Sequence, residues 1–151
     1  MIFNREAETL DRKSLAQLQL ERLRALVARL SARVPFYGHK LEAAGHKTPA
    51  VQTLADLATF PFTGKEELRD TYPFGLLAVE PREIVEIHTS SGTTGKPVVD
   101  AYTQGDIDLW SEVMARTLAM GDTTPADVIQ NAYGYGLFTG GLGVHYGARR
   151  I

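Results

Sequence analysis

Residues 84–102 constrain this chain more tightly than any other stretch, because two strand-like segments flank a loop of small and hydroxylated residues. Before the loop, EIVEIH (residues 83–88) reads like a strand, with three β-branched residues and apolar–polar alternation from Val85 to His88. After it, PVVDAY (residues 97–102) reads as a second strand. Between them lie Thr89, Ser90, Ser91, Gly92, Thr93, Thr94, Gly95 and Lys96. The pattern predicts an antiparallel hairpin over residues 84–102, with residues 90–96 as an exposed, mobile loop.

Such a loop offers unobstructed backbone N–H groups, short hydroxyl donors and one cation, a set that suits a polyphosphate. Its glycines permit turns with φ > 0 and close backbone approach. The plainer reading is a solvated turn, since Ser, Thr and Gly are ordinary turn residues. A lysine directly after the second glycine, between two strand-like flanks, favours the phosphate. The loop is not a Walker A motif, which needs a glycine five residues before its Gly-Lys pair and a hydroxyl after the lysine, at a helix N-terminus. Ser90 and Pro97 occupy those places here, which argues against a P-loop kinase or nucleoside triphosphatase.

Other elements are punctuated by capping patterns. Ser14-x-x-Gln17 opens a helix whose apolar stripe, Ala16, Leu20, Leu23, Val27, Leu30 and Val34, ends at Pro35. A short helix from about Tyr37 stops at Gly45, and Thr53-x-x-Asp56 and Thr63-x-x-Glu66 open two more, with Pro73 limiting the last. Thr103-x-x-Asp106 starts a longer helix, with Ile107, Trp110, Val113, Met114, Thr117 and Leu118 on one side and Gly121 at its end. Asp106, Asp108 and Glu112 read as complements to the helix dipole rather than catalytic carboxylates. Residues 127–131 read as a buried strand feeding the glycine-rich stretch 133–147. Helices alternating with short strands give an α/β class.

Net charge is −2, from 16 basic and 18 acidic side chains without a basic block, so neither nucleic acid nor an anionic membrane is an expected partner. Cysteine is absent, which excludes disulfides, thiolate metal sites and a cysteine nucleophile. His39, His46, His88 and His145 match no zinc spacing; structural roles are expected for His88 and His145. Lys65 reads as an exposed residue of a capped turn. The charged N-terminus lacks a signal-peptide core, and no run approaches the roughly 18 apolar residues of a membrane span, so the cytoplasm is the default.

The segment SSGTTGKP (residues 90–97) resembles the ATP phosphate loop of adenylate-forming enzymes, the superfamily of acyl-CoA synthetases, luciferases and peptide-synthetase adenylation domains. NAYGYGLFTGGLGVHYG (residues 131–147) narrows the resemblance to phenylacetate–coenzyme A ligases. PFTGKEELR (61–69), YPFG (72–75) and VPFY (34–37) match the same family. The resemblance covers essentially the whole chain, and it implies the N-terminal portion of the large domain: a helical N-terminus followed by strands and helices, an incomplete fold. Such ligases are roughly three times longer, well above the ~100–150 residues of an average domain. No counterpart of their adenine- and ribose-binding motifs, magnesium-binding acidic residue or mobile C-terminal domain is recognisable in these residues.

The activity this implies is activation of an aryl acid with ATP to an acyl-adenylate, followed by transfer to coenzyme A, in an enzyme expected to be a homodimer at full length. Lys96 is the implied catalytic residue, and it holds the ATP phosphates with Ser90, Ser91, Gly92, Thr93, Thr94 and Gly95. Tyr133, Tyr135, Phe138, Gly140 and Gly141 form the implied aryl pocket. Magnesium would accompany ATP on ligands outside these residues; no metal ligand is assigned here. Two positions depart from the family pattern: Asp100 introduces a negative charge after the loop, and Arg149 and Arg150 stand where an acidic residue is expected. The alternative is a non-catalytic nucleotide- or phosphate-binding module, and the chain by itself is expected to be inactive.

Overall fold

The computed structural model describes residues 1–46, 51–90, 95–137 and 139–151. Two compact units emerge, Leu10–Pro81 and, separately, Met1–Thr9 with Arg82–Ile151. No described helix is long and apolar enough to cross a membrane.

The Leu10–Pro81 unit is helical. Helix α2 (Arg12–Arg33) follows the four-residue α1 (Arg5–Glu8) of the other unit. It starts ahead of the expected Ser14–Gln17 box, because Asp11 caps it: one carboxylate oxygen accepts from Lys13 N–H at 2.9 Å and Ser14 N–H at 3.0 Å. The carboxylate satisfies two orphan donors and meets the positive helix end, so the helix begins before Ser14. Ser14 instead donates its hydroxyl to Asp11, and Gln17 bonds Glu21. The expected stripe holds, with Val27 and Val34 buried and Leu20, Leu23 and Leu30 half-buried.

Pro35 ends α2 and also opens α3 (Pro35–Ala43), at a position where its missing N–H costs nothing. The second helix therefore begins earlier than Tyr37. Its end is as expected, with Gly45 at φ 90° just beyond the cap. A 3₁₀ turn (Leu54–Thr59) carries the expected box, its Asp56 carboxylate accepting from Gln52 and Thr53 N–H. Helix α4 (Lys65–Asp70) is capped one residue later than read from Thr63-x-x-Glu66. Glu67, not Glu66, accepts from Gly64 N–H at 2.8 Å while pairing with Lys40 at 2.5 Å. The bond from Lys40, then that from Gly64, holds the Glu67 carboxyl below the usual range.

In the other unit, β1 (Ile84–Thr89) pairs antiparallel with β2 (Val99–Thr103) in the register Glu86↔Tyr102, Ile87↔Ala101, His88↔Asp100 and Thr89↔Val99. The hairpin is as expected, and no helix begins at Gly95, which bends at φ 129°. Ser90, Gly95 and Lys96 are exposed; Ser91, Gly92, Thr93 and Thr94 lie outside the described residues. Helix α5 (Gln104–Met120) opens at the expected box, Thr103 N–H donating to Asp106 at 2.8 Å, and closes at Gly121.

The expected face of α5 holds at Ile107, buried, and at Trp110, Met114 and Leu118, half-buried, but Val113 and Thr117 are exposed. Ala115 and Ala119 are fully buried beside Ile107, whereas Val113 is 45 % exposed. Helix α6 (Thr139–Arg150) packs against this helix. Its glycines press so close that a Cβ on Gly143 would sit 2.7 Å from the Trp110 ring, and one on Gly147 would sit 2.7 Å from Met114 Cβ. Small residues on both helices let the backbones approach, so alanines take the centre of the contact and the bulkier Val113 turns out.

The strand expected at 127–131 is absent: the segment is irregular, and Val128 is 98 % exposed. Asp127 closes a turn with Thr124 instead, accepting from its N–H at 2.7 Å. A strand exists only when a neighbour pairs with it, and the sheet among the described residues has two strands, β1 and β2.

Candidate functional site

The neck of the hairpin loop is fastened twice by one residue. Ser90 N–H donates to Val98 O at 2.9 Å, and Val98 N–H donates to Ser90 Oγ at 2.8 Å. One lone pair of the Ser90 hydroxyl is thus spent on the loop's own geometry. Lys96 is exposed beside the positive-φ Gly95. Asp100 is exposed, paired across the sheet with His88.

Directly before the loop, Thr89 N–H donates to Leu137 O at 2.8 Å. That bond brings the glycine-rich segment against the end of β1. Asn131 organises this segment: its amide N–H donates to Gly141 O at 2.7 Å, and its carbonyl accepts from Tyr133 N–H. The Tyr135 hydroxyl meets His145 Nδ1 at 3.1 Å and receives a bond from Asn131. Gly141 is needed for the close approach, since a Cβ there would lie 3.2 Å from Tyr133 Cβ and 3.1 Å from Gly134 O. Gly140 is half-buried in the first turn of α6. Tyr133 and Tyr135 are both more than half exposed, so they form a wall rather than a closed slot. A cleft of about 380 Å³ opens beside them, lined by Ile129, Asn131, Tyr135, His145 and Arg149. Phe138 lies outside the described residues.

Beneath the loop neck is a buried polar chain. His88, fully buried, holds Thr139 Oγ1 at 3.2 Å through Nδ1 and Glu86 Oε1 at 2.5 Å through Nε2. The other Glu86 oxygen accepts from the Tyr146 hydroxyl. Tyr102 and Trp110 pack edge-on to the imidazole at 5.0 and 5.3 Å and stack on one another. The Tyr146 phenol is pushed up by that bond to Glu86 and then by burial; Tyr102 is pushed up chiefly by burial, then by Asp100 and Glu86. Both hydroxyls therefore stay protonated at neutral pH.

The structural roles read for the histidines and acidic residues agree with these contacts. Asp106 caps α5, Asp108 accepts from Gln104, and Glu112 bonds Arg116 and Asn4. His145 positions Tyr135, and Lys65 is exposed. Glu86, Asn131, Thr139 and Tyr146 were not legible as site residues. The one available signal was Glu86 two positions before His88, on the same strand face.

No family model matches the chain. Across all 151 residues it is 51 % identical to the phenylacetate-coenzyme A ligase of Thermus thermophilus. The chain is homologous to phenylacetate-coenzyme A ligases. Identity is 49 % over 144 residues to the ligases so named from Pseudomonas putida and Escherichia coli. The chain spans about a third of the length of these curated relatives, 34 % of the Thermus ligase and 33 % of the other two. Among solved structures, 2-hydroxyisobutyryl-CoA ligase with 2-HIB-AMP and CoA superposes with a TM-score of 0.86 at 28 % identity, covering 94 % of this chain and 31 % of that one. Its postadenylation state gives 0.84 at 26 % identity, covering 30 % of that chain. The mixed helix-and-sheet fold is thus shared with part of an adenylate-forming CoA ligase, as the resemblance implied.

Proposed function

We propose that this chain supplies the phosphate loop and part of the acid pocket of an aryl-acid–coenzyme A ligase. The observation that supports the reading is the Thr89–Leu137 bond, which ties the strand end just before the loop to the aromatic segment. In the first half-reaction a carboxylate oxygen attacks the α-phosphorus of ATP, forming the acyl-adenylate and displacing pyrophosphate. In the second, the thiol of coenzyme A attacks the carbonyl carbon and AMP leaves. Little covalent help is needed from the protein in either step, so its contribution is positioning and charge stabilisation.

Lys96, with Ser90, Ser91, Gly92, Thr93, Thr94 and Gly95, grips the phosphates through charge-assisted bonds. Tyr133, Tyr135 and Phe138 receive the aryl group, and Gly140 and Gly141 keep the first turn of α6 clear for it. Magnesium would travel with ATP as its counter-ion; no three His, Asp or Glu side chains converge on a metal site among the described residues, so none is assigned to it. Dependence on ATP and coenzyme A fits a cytoplasmic enzyme.

In a complete ligase carrying this chain, Tyr133→Ala and Phe138→Ala are each expected to raise KM for phenylacetate. An edge-to-face contact of ~0.5–1.5 kcal/mol corresponds to about 2- to 10-fold. KM for ATP should hardly move. Steady-state kinetics in which only the ATP constant changes would remove both residues from the acid pocket.

A further inference from the structure

We infer that His88 is a positioning residue for adenylation: by bridging Glu86 and Thr139 it fixes the start of α6, and the acid-binding segment with it, against the strand that enters the phosphate loop. The inference rests on the function proposed above and names the device that aligns its two halves. Imidazole is a costly core filler, because each buried ring nitrogen needs a partner. Here both have one. A carboxylate only accepts, which places a ring proton on Nε2 toward Glu86, while Nδ1 meets the Thr139 hydroxyl, a group able to donate or accept.

The contacts form one continuous chain, Tyr146–Glu86–His88–Thr139, that leaves α6, crosses β1 and returns to α6. Thr139 and Tyr146 are seven residues apart, about two turns, and so lie on one face of the helix. β1 is therefore tied to α6 at two levels, and the ring is held edge-on by Tyr102 and Trp110. Position completes the argument. His88 stands two residues before Ser90, and Thr139 follows Phe138 directly. The Thr89–Leu137 backbone bond and the imidazole bridge staple the same junction from two sides. Being fully buried, His88 touches no substrate; its effect is on alignment, where a displacement of about 1 Å costs up to ~10²-fold in rate.

The test separates the hydroxyl from the shape. In a complete ligase carrying this chain, Thr139→Val keeps the volume and removes the bond to Nδ1, while Thr139→Ser keeps the bond. Thr139→Val is expected to lower kcat for aryl-acid-dependent ATP–pyrophosphate exchange about 10-fold, with Thr139→Ser restoring it to within about 2-fold. His88→Gln, which retains an N–H toward Glu86, should match the valine variant, and the double variant should be no worse than either, since one link is broken in each. Losses that multiply, a serine variant that does not recover, or a lowered melting temperature with kcat and KM unchanged would overturn the inference. If the unaltered ligase activates no aryl acid, the proposed function fails, and the bridge is still judged by ¹⁵N spectroscopy of the imidazole. A slowly exchanging Nε2–H that shifts on Thr139→Val is expected; a fast-exchanging one indifferent to Thr139 would contradict the bridge.

Discussion

Lys96→Ala is expected to slow adenylate formation about 10- to 100-fold in a complete ligase carrying this chain, because it removes a charge-assisted contact worth ~1.5–3 kcal/mol. The side chain is exposed next to Gly95, and no ion pair engages it among the described residues. It is therefore available to a polyphosphate rather than committed to the fold. As pyrophosphate departs, negative charge builds on the leaving group, and a cation there stabilises the transition state more than the bound ground state. The loss should accordingly show in the single-turnover rate of pyrophosphate release as well as in KM for ATP. An unchanged release rate would make Lys96 a bystander.

The second large effect is on stability. Gly147→Ala should cost ~1–3 kcal/mol, lowering Tm by ~2–4 °C for each kcal/mol lost. The added methyl would meet Met114 Cβ at 2.7 Å, Met114 C at 2.8 Å and Ala115 N at 3.0 Å. Two of those three are backbone atoms, so no side-chain rotation relieves the clash and the helices must separate. Gly136→Ala is the control, since nothing lies within 4 Å of a Cβ there. Equal melting temperatures for the two variants would mean that α5 and α6 pack less tightly than described. Because α6 also carries Thr139 and Tyr146, a shift of this helix should disturb the site as well as the fold.

Features encoded locally were the legible ones. The strands of the hairpin follow from the β-branched residues on either side of the loop, and the start of α5 from Thr103 and Asp106, three residues apart. Both depend on neighbours in sequence, where periodicity and capping chemistry operate. α2 starts earlier than its Ser14–Gln17 pattern suggests because Asp11, three residues before Ser14, caps the Lys13 and Ser14 N–H groups. On α5 the expected Ile107, Trp110, Met114 and Leu118 do pack, but hydrophobicity alone favours Val113 over Ala115, whereas a glycine-faced partner helix selects the smaller residue. Residues 127–131 have strand-like apolar character, but pairing, not composition, makes a strand.

The polar chain was the least legible part. Its bonds join residues 51 and 60 positions apart, so no window of sequence shows them. His88 could be read as structural from its place on a strand; that both its nitrogens are spoken for required the packed structure. The loop and aromatic segments, by contrast, carried a resemblance strong enough to be matched by relatives named phenylacetate-coenzyme A ligase at about half identity.

The most direct test is phenylacetate-dependent ATP–pyrophosphate exchange, measured on the 151-residue chain alone and on the same chain joined in place of the matching third of the Thermus thermophilus ligase. Adenylation requires both reactants held in line, an advantage that can reach ~7–11 kcal/mol, and the function proposed above gives this chain the phosphate and acyl sides alone. Exchange is expected in the joined protein and not in the isolated chain. A joined protein that folds yet shows no exchange, or robust turnover by the 151 residues on their own, would contradict the account.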